Sequence, residues 1–256
     1  MESVDEGVVL VTLDLPERRN AMSEPMTRSW STAVAALRAD RSVRVVVVTG
    51  AGAAFCAGGD LSWLAAMPDA GVDDLRARMR PFYESWLSVR SLEVPTIAAV
   101  NGAAIGAGLA LALACDLRYA DEDARLAVPF TALGMHPGMA STWLLPEAVG
   151  LPAARELLLT GRSVSGAEAV SLGLVNRVVA SGTALEESLT VARQIAATAP
   201  LAARLTKRAL ADGGHASFEA ALEWESLAQP VTLASADLQE GLAAQRERRT
   251  PRFTGH

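Results

Sequence analysis

The chain has 256 residues, half of them hydrophobic, and a formal net charge of −6 at pH 7, with an isoelectric point near 5.2. That length and composition build one large domain, or one domain with an appendage, around a sizeable core, and the acidic balance excludes a nucleic-acid surface. Asp116 and Arg118 stop the longest apolar run short of a membrane span, and the acidic Met1–Glu6 start is unlike a secretory leader, so a soluble cytoplasmic protein is expected.

Val8 to Leu13 reads as an apolar strand after the Glu6-Gly7 turn. Pro16-Glu17-Arg18-Arg19-Asn20 is a polar loop whose arginines read as solvated charges. Ser23 stands as an N-cap before Glu24 and Pro25, and the spacing predicts a helix to about Ala39 with Trp30, Val34 and Leu37 on one face. Val43 to Thr49 is a second strand, ended by Gly50-Ala51-Gly52. Phe55-Cys56-Ala57-Gly58-Gly59-Asp60-Leu61 is then a small-residue turn leading into a helix that Asp60 caps. Pro68-Asp69-Ala70-Gly71 breaks that helix after Met67. A further helix is expected from Val72 to Val89. It carries Met79, Phe82, Tyr83, Trp86 and Leu87, which serve either as core or as the wall of an apolar pocket.

Thr96 to Val100 is a buried strand ended by Asn101-Gly102. Gly106 and Gly108 bracket Ala107, and a helix of small residues follows from about Leu109 to Asp116. A strand, a glycine turn and a buried helix leave free N–H groups at the helix start, where they suit developing negative charge. The plainer reading is that the glycines only permit close packing. The earlier strand and turn at Val43–Leu61 repeat the pattern, and two such turns can supply two N–H groups to one oxygen.

Leu117–Ala120 and Arg125–Val128 are strands about the charged turn Asp121-Glu122-Asp123. Pro129-Phe130-Thr131 leads into the loop Leu133-Gly134-Met135-His136-Pro137-Gly138-Met139. Helices are expected over Ser141–Val149, Ala153–Thr160, from Ser165 to near Leu172 with Gly173 at C′, and over Ala184–Ala199. Val175–Val179 is the last short strand. From Leu201 to Arg249 helical patches alternate with breaks at Gly213-Gly214 and Gln229-Pro230. A core of residues 1–197 is therefore expected, followed by a helical oligomerisation segment, 198–256.

The ordered motifs F-C-A-G-G-D-L, P-T-I-A-A-V-N-G-A-A-I-G-A-G and A-C-D-L-R-Y-A resemble the crotonase (enoyl-CoA hydratase/isomerase) superfamily. The resemblance runs from P-E-R-R-N-A-M at Pro16–Met22 to R-E-R-R-T-P-R-F at Arg246–Phe253. It implies an α/β fold, a crotonase-like spiral of repeated ββα units with a helical C-terminal appendage, assembled as a homotrimer or a dimer of trimers. It implies an acyl-CoA or enoyl-CoA substrate, with CoA entering as part of the substrate and no permanently bound cofactor. The same resemblance puts the oxyanion donors at the backbone N–H groups of Gly59 and Ala107. Arg19, Asn20 and Ala21 fall beside the nucleotide part of CoA, with Ala57, Gly58, Asp60 and Leu61 as further binding residues. Arg248 matches a basic position at the ribose 3′-phosphate, often supplied by a neighbouring subunit. The Val72–Val89 helix corresponds to the variable segment that covers the acyl group.

The sequence departs from the family at its acid/base positions. The two glutamates used by the hydratases fall at Ala110 and Phe130, and an aspartate used by some isomerases and dehalogenases falls at Gly138. None of these side chains moves a proton. The departure leaves, beside the nominal hydratase/isomerase reading, an acyl-CoA binding protein without turnover or another reaction of the family: isomerisation, decarboxylation or thioester hydrolysis. His136 is a candidate for proton transfer near neutral pH, its alternative being a hydrogen bond within the Pro137 turn. Tyr83 and Glu84 are further candidates on the covering helix. Glu147 reads as a surface helix residue, and His215 and His256 as solvated. The isolated Cys56 and Cys115 form neither a disulfide framework nor, with the dispersed histidines, a metal site. No acidic residue stands about 20 positions beyond the glycines in a βαβ unit, which separates them from a dinucleotide fingerprint.

Overall fold

The computed structural model describes residues 1–60, 62, 65, 66, 69–211 and 217–256. Leu61, most of the helix expected from it to Met67, the break at Pro68, Gly213-Gly214 and His215 lie outside the described residues.

The described strands make two sheets. The larger has the order β1 (Glu2–Asp5), β2 (Val8–Leu13), β3 (Val45–Gly50), β5 (Thr96–Val100), β7 (Leu117–Asp121) and β10 (Arg177–Val179). The smaller has the order β4 (Ala54–Cys56), β6 (Ala103–Ile105), β8 (Arg125–Ala127) and β9 (Ser163–Ser165). The chain alternates between them. It lays β3, β5 and β7 side by side and parallel in one sheet, and β4, β6 and β8 side by side and parallel in the other. Each circuit contributes one strand to each sheet, which is the spiral expected of the motifs.

The helices are α1 (Glu24–Ala39), α2 (Val72–Leu87), α3 (Ala107–Ala114), α4 (Ser141–Thr160), α5 (Gly166–Ser171), α6 (Ala184–Ala196), α7 (Pro200–Ala211), α8 (Phe218–Leu233) and α9 (Ala236–Glu247). None among the described residues is long and apolar enough to cross a membrane. Ser23 caps α1 as expected, its hydroxyl accepting from the Met26 N–H, and Trp30, Val34 and Leu37 are buried. Trp30 stacks on Trp86 of α2 at 5.1 Å. Each indole N–H also finds a partner across the pair, Ser85 O at 3.1 Å and Thr27 Oγ1 at 2.9 Å. Gly150 interrupts α4 with φ 72° and ψ 162°, so the two helical runs expected there meet at a kink. Gly173 has φ 77° after α5, the left-handed conformation expected of a C′ residue.

Both faces of the large sheet are covered, which is why Val45–Val48 is an unbroken apolar run rather than an alternating one. Val46, Val48, Ala98 and Val100 join the main core with α1, α2, α3 and α4. Val45, Val47, Ile97 and Ala99 pack on the opposite side with Ala192 and Ala196 of α6. Every residue of α3 is buried.

Three local expectations need correction. The break expected at Gln229-Pro230 falls inside α8, which runs through Pro230 to Leu233. The small-residue stretch from Phe55 begins inside a strand, β4, rather than in a turn, and α3 starts at Ala107 rather than Leu109, directly after β6. Strands of three residues are too short to show a period. Pairing within the small sheet, not local pattern, holds them extended.

The C-terminal helices rest on a buried latch. Lys207 of α7 donates to Val94 O at 2.8 Å and pairs with Asp116 Oδ2 at 2.8 Å. The same carboxylate oxygen accepts from the Thr96 N–H and hydroxyl at the start of β5.

Candidate active site

Two turns meet at the ends of β4 and β6. The first is built by the 15–22 loop. Asn20 is fully buried with φ 56°. Its Oδ1 accepts from Leu15 N, and its Nδ2 donates to Ala51 O at 2.9 Å and Ala54 O at 2.7 Å. The loop then zips to the turn: Ala57 N donates to Arg19 O at 2.9 Å and Met22 N to Gly58 O at 2.7 Å. Cys56 Sγ donates to Asn20 O at 3.1 Å. Burial pushes the Cys56 thiol up to about 12, so it stays a protonated donor and not a nucleophile. Burial likewise pushes Cys115 to about 12.

The second turn follows β5. Asn101 clasps it to the first: its Oδ1 accepts from Gly50 N at 3.2 Å, and its Nδ2 donates to Gly50 O at 2.8 Å and Gly52 O at 2.9 Å. Gly106, with φ 56° and ψ −115°, turns the chain from β6 into α3. Its N–H is taken by Ala127 O and its carbonyl by Ala110 N. Ala107 is the first helical residue, so its N–H is one of the four that no helical carbonyl satisfies, at the positive end of the helix dipole.

Glycine is required where the turns touch. A Cβ on Gly58, whose φ is 92°, would stand 2.6 Å from Ile105 O and 3.3 Å from Ala107 N. A Cβ on Gly108 would stand 2.1 Å from Cys56 O. The backbone at Cys56 and Gly58 thus lies against the start of α3.

Asp60, 5% exposed, closes the first turn. It accepts from Ser62 N at 3.0 Å, the bond of a local cap, and forms a two-pronged ion pair with Arg18 at 2.9 and 3.0 Å. By sequence Arg18 is an ordinary solvated loop charge. Forty-two positions separate the partners, and no local signal links them. Arg19 is exposed with φ 51°, and its carbonyl, like the half-buried Ala21, borders the same turn. Asn20 is different: its amide is spent on backbone bonds, so it builds the turn instead of facing a ligand. The structure therefore brings together Arg19, Ala21, Ala57, Gly58, Gly59, Asp60 and Ala107. Leu61 lies outside the described residues.

The expected acid/base positions surround the start of α3. Ala110 is fully buried. The Phe130 ring reaches over the glycine turn, its Cζ 3.6 Å from where a Gly106 Cβ would stand. The following loop folds back on Phe130 through Met135 N to Phe130 O at 2.9 Å. His136 is exposed, with Nδ1 2.8 Å from Pro137 O. That contact leaves Nε2 as the nitrogen open to a proton transfer. Gly138 lies against α2: its Cβ would meet the Tyr83 hydroxyl at 2.5 Å. Glu84 is paired with Arg80 at 2.7 Å, and Glu147 lies 4.0 Å from Arg90 on exposed helix surface.

Arg248 stands apart, at the left-handed C-cap of α9 with φ 54°. Among the described residues its side chain makes no hydrogen bond or ion pair. His256 is exposed, though its carbonyl accepts from Ala236 N at 2.8 Å.

Comparison with known proteins shows the family and the fold. The family model described as enoyl-CoA hydratase/isomerase matches residues 3–256. A Thermus thermophilus protein named after enoyl-CoA hydratase is 41% identical over 254 residues, covering 99% of this chain and all of that one. The mouse mitochondrial methylglutaconyl-CoA hydratase is 34% identical over 260 residues, covering the whole of this chain and 82% of its own length. The crystal structure of an enoyl-CoA hydratase from Bacillus anthracis superposes with a TM-score of 0.94 at 34% identity, covering 100% of this chain and 98% of that one.

Proposed function

Because the chain belongs to the enoyl-CoA hydratase/isomerase family, a family of enzymes, we propose that it binds a CoA thioester and stabilises the enolate of its acyl group through the N–H groups of Gly59 and Ala107. The observation that carries this reading is the contact of the two turns, with Gly58 against Ile105 O and Ala107 N. Donors on two rigid turns are preorganised, so they need no rearrangement as negative charge moves onto the thioester oxygen. One such donor lowers the barrier by on the order of 3 kcal/mol. Alanine at 107 serves as well as glycine, because the backbone donates.

Arg19, Ala21, Ala57, Gly58, Asp60 and Leu61 hold the CoA portion in this reading. Asp60 acts by fixing the turn through Arg18. Arg248, without a side-chain partner within the described chain, would meet the ribose 3′-phosphate from a neighbouring subunit of a trimer or dimer of trimers.

Proton transfer is where the chain departs from a hydratase. Ala110 and Phe130 carry no titratable group, and the Phe130 ring narrows the space beside Gly106 that an attacking water needs. This favours a second reading, acyl-CoA binding or enolate chemistry without hydration. His136, through Nε2, is the group we assign to any proton transfer.

Calorimetry with acetyl-, crotonyl- and longer acyl-CoA tests the binding. No heat at millimolar thioester would overturn the ligand class. A panel of acyl- and enoyl-CoAs read by mass spectrometry identifies the reaction. Each missing general acid or base is worth roughly 10²–10⁴-fold, with paired losses not multiplying. Crotonyl-CoA hydration is therefore expected to be very slow. A rate of about 10 s⁻¹ or more, ordinary for an enzyme, would remove the inference from Ala110 and Phe130. Turnover on the true substrate that persists in His136→Ala would remove the assignment of His136.

A further inference from the structure

Tyr83 puts a hydroxyl where the loop opposite has no side chain. It lies on α2, which packs against α3, the helix that starts at Ala107. Its oxygen stands 2.5 Å from the place a Gly138 Cβ would occupy, so the phenol fills the space that position 138 leaves empty. The 130–138 loop joins this point to the turn at Gly106, because Phe130 caps the turn at one end and Gly138 meets Tyr83 at the other. The Tyr83 ring packs against the main core and lies 6.1 Å from the Phe82 ring, so its neighbourhood on α2 is apolar.

The hydroxyl is half-buried, and among the described residues it makes no hydrogen bond. Burial holds its pKa above the ordinary value of 10.0, so the group is a neutral O–H donor near neutral pH. Water can satisfy such a donor in the free protein. A hydrocarbon chain that displaced the water would strand it, and a stranded donor is costly. An acyl chain carrying an oxygen would replace the water bond for bond.

We infer that Tyr83 is a specificity-determining residue, whose hydroxyl selects acyl-CoA thioesters bearing a hydrogen-bond acceptor on the acyl chain over plain hydrocarbon chains of the same length. This rests on the CoA-thioester reading above.

The test compares acetoacetyl-CoA and 4-hydroxybutyryl-CoA with butyryl-CoA by calorimetry. All three carry four acyl carbons, with oxygen on the third carbon, on the fourth, or on neither. The wild type is expected to bind at least one oxygenated thioester about three- to tenfold more tightly than butyryl-CoA, the range of one net hydrogen bond. Tyr83→Phe, which deletes one oxygen, should bring that ratio to about one. Gly138→Ala keeps the hydroxyl but displaces it by crowding, and should collapse the ratio too, which guards against a folding defect in the first variant. A wild type without preference, or a preference that survives both substitutions, overturns the role of Tyr83 while thioester binding itself stands. No heat with any of the three thioesters overturns the underlying reading and this one with it.

Discussion

Ala107 carries the sharpest single-residue consequence of the site. Proline at the first position of a helix costs no helical hydrogen bond, because the N–H there has no helical acceptor. Ala107→Pro therefore deletes the one donor of interest with little effect on helix propagation. If that N–H stabilises the enolate, turnover on the true substrate should fall by about 10²–10³-fold, while the far-ultraviolet circular dichroism keeps its helical signal. Full activity in the folded variant would show that the oxygen is bound elsewhere. Arg18 makes a related point about role. It touches Asp60 at 2.9 Å, so its contribution is to hold the carboxylate that closes the first turn, while the neighbouring Arg19 is free to face solvent.

At the scale of elements, β4 and α3 are locked by the absence of one methyl group. A Cβ on Gly108 would lie 2.1 Å from Cys56 O and 2.8 Å from Cys56 C. These are backbone atoms of a paired strand, which cannot swing aside as a side-chain tip can. Gly108→Ala must therefore separate α3 from β4. Overpacking of this kind costs about 1–3 kcal/mol or more, so calorimetry should record a fall of about 2 °C or more in Tm, together with weaker CoA-thioester binding. A Tm equal to that of the wild type would contradict the contact.

The C-terminal tail is a second element with a legible energetic cause. Glu240 of α9 accepts from both Nη atoms of Arg249 and from Arg252 N. The bonds from Arg249, then that from Arg252, lower the Glu240 carboxyl from 4.5 to about 2. A carboxylate depressed on folding adds stability above its unfolded pKa, and that stability is lost as pH falls through the folded one. Tail docking should thus weaken between about pH 4.5 and about 2. Amide exchange at Arg252 and its neighbours, corrected for intrinsic rate, should accelerate across that window ahead of α6. Constant protection down to the lower limit would rule out Glu240 as the clasp.

For the whole molecule, the question is what covers the C-terminal helices. Phe218, Leu222, Leu227, Val231 and Leu233 of α8 are each at least half exposed in the single chain. Phe218, Leu222 and Leu233 lie on one side of the helix and Leu227 and Val231 on the other, and exposed apolar side chains on both sides of a helix are ordinarily buried by partners. They form the surface we assign to homotrimer or hexamer contacts, which would also carry Arg248 to a neighbour. Light scattering should give three or six times the 26.8 kDa chain mass. A monomer would remove both the assembly and the shared phosphate contact.

The sequence by itself determined the parts whose cause is local. Val45–Gly50 and Thr96–Val100 are strands because every residue is apolar or β-branched, and the start of α1 follows from Ser23 and Pro25. The two glycine stretches were legible as a pair of N–H-bearing turns and carried the family. Ala110, Phe130 and Gly138 are departures legible in the sequence alone. The tertiary structure alone decided how the turns are held. Three-residue strands such as β4 and β6 have no period to read, and they exist only because they pair with each other. Asn20 and Asn101 read as loop residues, yet their amides tie together backbone from separate segments. The Arg18–Asp60 pair spans 42 positions, and the Tyr83 hydroxyl meets Gly138 across 55. Such contacts follow from the path of the spiral, which brings distant segments to one place, and no propensity of a single residue encodes that path.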